Sequence, residues 1–299
     1  MPTDNLPLVS CAIPYYNHKE FITYTLDSII QDTYPNKEII LINDGSSDKD
    51  DSCIIEWIEA NKNKININYI SRENRGLTKT LNELISLANG KYILLCASDD
   101  YLINNTITKR VELLEKNPQK LLLLSDAIVV DNDNKELYKS SLSQLYKADL
   151  DAYKNDESLK KEIITNWSIA GATHLINKKL YDEIGLYNEE LIVEDFDFFL
   201  RAVAKDYILF YNEQVSAYRQ HETNTSSDTT KTLRIKQDIY NSAMKHLHLF
   251  EEPYKTMLLD LANSYLNAIQ REKSFLKKLK KRTKKFRYKI KNLFKKNKP

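Results

Sequence analysis

Between residues 8 and 98, short apolar runs alternate with segments whose apolar residues recur at helical spacing. That alternation admits few folds. The runs cover residues 8–13, 38–42, 67–71 and 92–97, and those at 38–42 and 92–97 read as strands buried on both faces. The intervening stretches, 20–31 (with Phe21, Leu26, Ile29 and Ile30 in step), 51–61 and 77–88, read as helices. A β-α-β-α-β-α-β order predicts an α/β fold built on a mainly parallel, doubly wound sheet. Pro14 is expected to break the first strand, the turn formers Asn43-Asp44-Gly45-Ser46-Ser47-Asp48 to stop the second, and the fourth to end at Ser98. Further strands are expected at 121–125 and 127–130, a mobile loop or helical insertion at 140–165, and helix from 230 to 270 interrupted by Pro253.

A chain of 299 residues has room for one large α/β domain and an appendage. Cys11, Cys53 and Cys96 form no paired framework, and two of them lie in strand-like runs, which predicts reduced core thiols and a cytosolic setting. The first residues carry neither the basic flank nor the apolar stretch of a signal peptide, and no run approaches the ~20 apolar residues that span a bilayer. A cytoplasmic protein is therefore expected. The formal charge of +2 hides an asymmetry: residues 270–299 hold 15 Lys or Arg against one Glu, a net +14, and the rest of the chain carries −12. An acidic body argues against a nucleic-acid-binding domain, and the tail needs its own explanation.

Two acidic signatures stand out. Ser98-Asp99-Asp100 closes the apolar run at 92–97. In an open α/β sheet ligands bind at the carboxyl ends of strands, and adjacent carboxylates repel unless a cation or solvent relieves them, so this pair points to a metal–diphosphate site. Glu194-Asp195-Phe196-Asp197 opens a segment with helical spacing. It offers a general base, or simply acids that suit the positive end of a helix. Asp44 in its turn cluster is, alone, only a turn residue. Together the three suggest group transfer from a nucleotide-activated donor.

The ordered motifs resemble the inverting family 2 glycosyltransferases of GT-A fold. The matching stretches begin with Val9-Ser10-Cys11-Ala12-Ile13-Pro14-Tyr15-Tyr16-Asn17, the Leu26–Tyr34 region and Ile42-Asn43-Asp44-Gly45-Ser46-Ser47-Asp48. They continue through Glu73-Asn74-Arg75-Gly76-Leu77, Asn82, Gly90-Lys91-Tyr92-Ile93 and Ser98-Asp99-Asp100. Last come Ile184-Gly185-Leu186-Tyr187-Asn188-Glu189, Glu194-Asp195-Phe196-Asp197-Phe198-Phe199-Leu200-Arg201 and Tyr218-Arg219-Gln220-His221-Glu222-Thr223-Asn224-Thr225-Ser226. The likeness covers residues 7–226 and implies a Rossmann-like mixed sheet flanked by helices. It implies that Pro14 and Tyr16 line the nucleotide cleft, that Asp44 accepts from the N3–H of a uracil-like base, and that Asp99 lies against the ribose and donor. Asp100, with His221 folding back over the diphosphate, would hold Mn²⁺ or Mg²⁺. Ala97 stands where many relatives carry a further Asp. Asp195 would be the general base, Glu194 a contact to acceptor or donor sugar, and Asp197 a structural cap. Arg75, Lys79 and Arg219 are candidates for the nucleotide. Gly171, with Trp167 nearby, matches the segment below the donor sugar, where a glycine permits close backbone approach.

In the basic tail Phe275, Leu279, Phe286, Ile290 and Leu293 recur at spacings compatible with one helical face among lysines. That suits an amphipathic helix on an anionic membrane; a solvated basic tail and nucleic-acid binding are the alternatives, the last disfavoured by the acidic body. The organisation expected is a catalytic domain over 1–228, a helical extension over 229–269 and the tail over 270–299. The function expected is transfer from a UDP-sugar to a polysaccharide or lipid-linked oligosaccharide in bacterial surface glycan synthesis, at the inner face of the cell membrane. A nucleotidyltransferase is the alternative enzyme, disfavoured because no Gly-rich, Lys/Arg-containing loop follows the first strand. A catalytically silent sugar-nucleotide-binding scaffold is the alternative outside enzymes.

Overall fold

The four alternating runs form β1 (Val9–Tyr15), β2 (Lys37–Asp44), β3 (Asn66–Arg72) and β4 (Tyr92–Leu95), paired in parallel in the order β3-β2-β1-β4. Between them lie α1 (Ile22–Gln31), α2 (Ser52–Asn61) and α3 (Leu77–Leu87). Side chains alternate across the sheet. Cys11, Ile13, Ile39 and Leu41 pack with Ile22, Leu26 and Ile29 of α1 and Ile54 of α2, whereas Ala12, Ile40 and Ile42 pack with Leu81, Leu84 and Ile85 of α3. With both faces covered, each strand reads as a continuous apolar run. Cys11 and Cys96 are buried in this core and free of disulfides, and burial pushes the Cys11 thiol up to about 12. This computed structural model describes residues 6–47, 51–103, 105–221 and 229–296, the backbone alone at 229, 276 and 279–296.

Beyond β4 the sheet becomes mixed. β8 (His174–Asn177) runs antiparallel to β4 and to β6 (Leu122–Val130), and β6 pairs in parallel with β9 (Ile208–Arg219). β5 (Tyr101–Leu102) completes that edge antiparallel to β9, and β7 (Glu136–Tyr138) pairs with β6. The other helices are α4 (Ile107–Lys116), α5 (Asp156–Thr165), α6 (Lys179–Ile184), α7 (Glu194–Ala204), α8 (Thr232–His246) and α9 (Tyr254–Lys296). Pro253 directly precedes α9, the place where a proline interrupts a helical stretch without loss of a helix bond.

Several expectations are corrected. Pro14 does not break β1, which runs on to Tyr15. Ala12 accepts from the Cys96 N–H on the β4 side, so Pro14, two residues on, turns its imide nitrogen to that same side. There β4 has already stopped pairing, and no ladder donor is lost. β4 ends at Leu95, not Ser98; the chain then turns, with the Asp100 N–H donating to the Ala97 carbonyl at 3.1 Å. The two strands expected at 121–125 and 127–130 are one strand with a register shift at Asp126. The fully buried Asp126 carboxylate is satisfied by the Ser141 hydroxyl and the Leu142 N–H at 2.9 and 3.1 Å, which lets an acid sit inside a strand. Residues 140–165 take the helical of the two forms expected, with a π-helical turn at Ser141–Leu145, a short 3₁₀ turn at Ala152–Lys154, and α5.

The C-terminal helices pack against α7. Ile239 and Ala243 of α8, Phe250, and Leu258 and Ala262 of α9 share one core with Phe198, Leu200 and Ala202 of α7. Each large aliphatic or aromatic side chain so buried is worth about 1.5–3 kcal/mol.

Candidate active site

β1, β2 and β4 end at one edge of the sheet, and the chain turns sharply after each. At the end of β1, half-buried Pro14 leads to exposed Tyr16 and to Asn17, whose φ of 57° bends the backbone. Asn17 joins two loops: its N–H donates to Ser46 Oγ at 2.9 Å and its Oδ1 accepts from the Ser47 N–H at 2.7 Å.

Asp44 is the last residue of β2 and is buried. Its Oδ1 accepts from the Arg72 guanidinium and from the Arg75 N–H at 2.8 Å, and its Oδ2 accepts from the Gly76 N–H at 2.9 Å. Gly45, at φ +71°, makes the approach possible, since a Cβ there would lie 2.4 Å from the Asn74 nitrogen. Arg72 is held in turn by Glu83 and by Thr80 Oγ1. The carboxylate is thus fixed in place. Arg75 reaches Asp44 through its backbone, while its exposed side chain lies 3.6 Å from Glu83. Lys79 is exposed on α3.

After β4 the two adjacent acids diverge. Asp99 Oδ2 lies 2.9 Å from His221 Nε2, and its Oδ1 lies 3.8 Å from His18 Nδ1. Burial alone would raise the Asp99 carboxyl, but the hydrogen bond from His221 and the nearby His18 hold it below the usual range. Asp100 is driven the other way by burial and by the Asp99 charge, well above the usual carboxylate range. Its Oδ1 accepts from the Arg219 N–H at 2.9 Å, and its Oδ2 faces Gly171, where a Cβ would lie 3.1 Å away. Asp99, not Asp100, is therefore the carboxylate facing His221.

His18, Asp99 and His221 offer three metal-ligating atoms within 4.8 Å of one another. Imidazole nitrogens and a carboxylate oxygen are a donor set for a divalent ion, and the residues fit one. His18 and His221 also line an open cavity of about 810 Å³, together with Asn17, Phe21, Asp131 and Gln220. Arg219 is buried. Its Nε donates to the Asp99 carbonyl at 2.9 Å, its Nη1 to the carbonyls of Asp131 and Asn132, and its Nη2 to Asn134 Oδ1, with Phe21 against the guanidinium at 4.5 Å. In this structure it braces the loop carrying the acids.

The second acidic motif begins α7. Asp195 Oδ1 accepts from the Phe196 N–H at 2.7 Å. Burial pushes the Asp195 carboxyl up to about 6, its helix N–H bonds restraining the rise. Glu194, buried beside the Asp195 charge, is pushed up to about 8. Asp197 points elsewhere, pairing with Arg201 and with His246 of α8. Trp167 lies edge-on against Phe196 and Phe199, ring centroids 5.7 and 4.9 Å apart, and is a partly buried core side chain. Residues 167–171 thus span from Phe196, next to Asp195, to Asp100.

Three neighbours were not singled out by sequence reasoning. His18 stands directly after the Asn17 turn, and that place beyond a strand end was the signal available. Tyr146 follows the π-helical turn; burial raises its hydroxyl, with Tyr218, Asp195 and Asp100 all close enough to add to the rise. His246, 49 residues from Asp197, left no local signal. Asp48 and residues 222–226 of the motifs lie outside the described residues.

A mixed sheet of this order, with carboxylates at the ends of β2 and β4 and at the start of α7, is the architecture of the GT-A glycosyltransferases. The chain belongs to glycosyl transferase family 2, whose family model matches residues 10–185. It is 29% identical over 246 residues to an uncharacterized glycosyltransferase of Rickettsia prowazekii, a match covering 81% of this chain and 73% of that one. It is 30% identical over 188 residues to the poly-beta-1,6-N-acetyl-D-glucosamine synthase of Staphylococcus epidermidis, covering 62% of this chain and 43% of the synthase. The fold matches that of S. aureus TarS residues 1–349 in complex with UDP-GlcNAc, with a TM-score of 0.65, 21% identity, and coverage of 87% of this chain and 71% of that one.

Proposed function

We propose that the protein is a metal-dependent, inverting glycosyltransferase. It moves a hexose or N-acetylhexosamine from a UDP-sugar to a polysaccharide or lipid-linked oligosaccharide acceptor in bacterial surface glycan synthesis. The observation that carries this reading is the placement of the two acidic motifs: Asp99 between two imidazoles in the turn after β4, and Asp195, its carboxyl pushed up to about 6 by burial, at the start of α7. The first suits a cation and a diphosphate; the second suits a base working near neutral pH.

Asp195 takes the proton of the acceptor hydroxyl as that oxygen bonds to the anomeric carbon. The bond from that carbon to the UDP oxygen breaks on the opposite face, and its electron pair leaves with UDP. Glu194, raised to about 8 and so protonated at neutral pH, donates a hydrogen bond to donor or acceptor sugar. Asp44, held by Arg72 and the Arg75 and Gly76 N–H groups, keeps a lone pair for the uracil N3–H, with Pro14 and Tyr16 at the edge of the base. Gly171 leaves room for the donor sugar. The resemblance gave the metal to Asp100 and His221; this reading moves the carboxylate ligand to Asp99, which faces His221 while Asp100 accepts from the Arg219 N–H. Asp99 and His221 would hold Mn²⁺ or Mg²⁺, which neutralises charge on the departing diphosphate when bound. The N-acetylglucosamine polymer in the name of the staphylococcal synthase, and the UDP-GlcNAc of the TarS complex, make that sugar the first donor to try.

Residues 1–228 form the catalytic domain in this reading, 229–269 an extension, and 270–299 a peripheral anchor on the cytoplasmic face of the membrane. Among the described residues no helix is long and apolar enough to cross a membrane. Ile269 is buried in α9, Phe275 is 63% exposed, and the segment carries a net +14. Leu279, Phe286, Ile290 and Leu293 of the apolar face lie beyond the described side chains. Near an anionic surface each basic residue is worth about 1 kcal/mol.

Calorimetric binding of UDP, GDP, CMP and ADP with and without Mn²⁺ tests the donor assignment. Selective, Mn²⁺-enhanced binding of UDP is expected. Preference for another nucleotide would overturn the role of Asp44, and binding of none would favour a silent scaffold.

A further inference from the structure

The metal reading above needs only Asp99 and His221, yet a second imidazole faces the same carboxylate. His18 sits on the loop after β1, with Nδ1 3.8 Å from Asp99 Oδ1 and 2.8 Å from Ser98 Oγ. Its ring meets that of His221 edge-on, centroids 5.5 Å apart, and Phe21 stacks on His221 at 5.6 Å. The rings are thus held by packing on the cavity side of Asp99, where an ion can enter from solvent. Donors sharing one ion at about 2.1 Å stand about 3.0 Å apart when adjacent and about 4.2 Å apart when opposite. The separations of 2.9 Å from Asp99 Oδ2 to His221 and 3.8 Å from Asp99 Oδ1 to His18 fall close to that range, and one donor atom from each of the three residues lies within 4.8 Å of the others.

We infer that His18 is a third protein ligand, so that His18, Asp99 and His221 bind a divalent transition-metal ion before any nucleotide arrives. This rests on the reading that Asp99 and His221 form the metal site, and it adds two consequences. A site with one carboxylate and one imidazole leaves most of the coordination to diphosphate and water, so its affinity depends on the nucleotide. A second imidazole gives the protein affinity of its own and biases it toward transition ions over Mg²⁺, which prefers oxygen donors. The 2.8 Å hydrogen bond with Ser98 Oγ keeps the ring aimed at the site, and a bound ion would take the Nδ1 lone pair in place of Ser98.

The test is an electron paramagnetic resonance titration of the full chain with Mn²⁺, with and without UDP, on wild type and His18→Asn. Wild type is expected to bind Mn²⁺ without nucleotide. The variant should lose at least about tenfold in that affinity, because removing even an outer partner of a metal ligand costs 10–100-fold. With UDP present the gap should narrow, since the diphosphate supplies oxygens. Pulsed spectra of wild type should show two imidazole nitrogens coupled to the ion, a readout that does not depend on the variant folding. Equal nucleotide-free affinity in both proteins, no nucleotide-free binding, or a single coupled nitrogen would overturn the role of His18 and leave the Asp99–His221 site standing. Absence of Mn²⁺ binding in both proteins even with UDP would overturn that site as well.

Discussion

His246 Nε2 lies 2.7 Å from Asp197 Oδ1, and this buried contact ties α8 to α7, the helix that begins with Glu194 and Asp195. A second tie lies close by, where Asp238 of α8 accepts from the Ile192 N–H at 2.8 Å in the segment entering α7. The C-terminal helices therefore fix where the candidate base stands.

Replacing His246 by Ala removes one partner of the buried Asp197 carboxylate and leaves Arg201 as the other. A loss of about 1.5–3 kcal/mol in unfolding free energy is expected, as for a hydrogen bond to a charged group. Turnover should fall while UDP affinity holds, because Asp44 and Asp99 lie on other elements. Denaturant unfolding and nucleotide calorimetry on one preparation separate the two effects.

Transfer should follow a bell-shaped pH profile. The rising limb follows ionisation of Asp195 near about 6, and the falling limb follows loss of the Glu194 proton near about 8. Glu194→Gln cannot lose that proton, so it should keep the rising limb and lose the falling one. A profile for this variant with both limbs unchanged would remove Glu194 from the account.

The same carboxyl links pH to stability. Its folded value of about 8 stands above the unfolded 4.5, so its contribution is complete below 4.5 and is lost as pH rises through about 8. Glu194→Gln is therefore expected to gain in Tm relative to wild type as pH is raised from 6 to about 9. Thermal scans across that range check the sign.

Gly45→Ala should disable the base pocket. The φ of +71° disfavours any Cβ, and the new atom would press within 2.4 Å of the Asn74 nitrogen, just before the two N–H groups that hold Asp44. The left-handed conformation alone costs about 1–2 kcal/mol. UDP affinity should drop more than nucleotide-free Mn²⁺ binding, since Asp99 and His221 lie on other elements and only His18 is joined to this loop, through Asn17.

Deleting residues 270–299 should abolish binding to anionic liposomes, since that segment holds 15 of the 44 basic residues. Co-sedimentation checks it, and unchanged binding would contradict membrane attachment through the tail.

The first half of the sheet was legible because strands buried on both faces leave continuous apolar runs, as at Ile39, Ile40, Leu41 and Ile42. The second half was harder to read. Asp126 looked like a break between two strands because its satisfying partners, Ser141 and Leu142, come from a later turn. Pro14 looked like a strand end because its tolerance depends on where β4 stops. At the site, the acids stood out by type and position, but their roles did not: Asp99 and Asp100 are neighbours in the chain whose difference comes from His221, 122 residues away from Asp99, and from the burial of Asp100 beside the Asp99 charge. His18 shows the same limit, since its partners come from the turn after β4 and from just beyond β9.

The most direct test of the central claim pairs two measurements on wild type and Asp195→Asn: UDP affinity by calorimetry, and sugar transfer from UDP-GlcNAc in the presence of Mn²⁺. The account predicts matching affinities and a loss of transfer of about 10²–10⁴-fold in the variant, the range of a removed general base. Transfer by Asp195→Asn at the wild-type rate would contradict it.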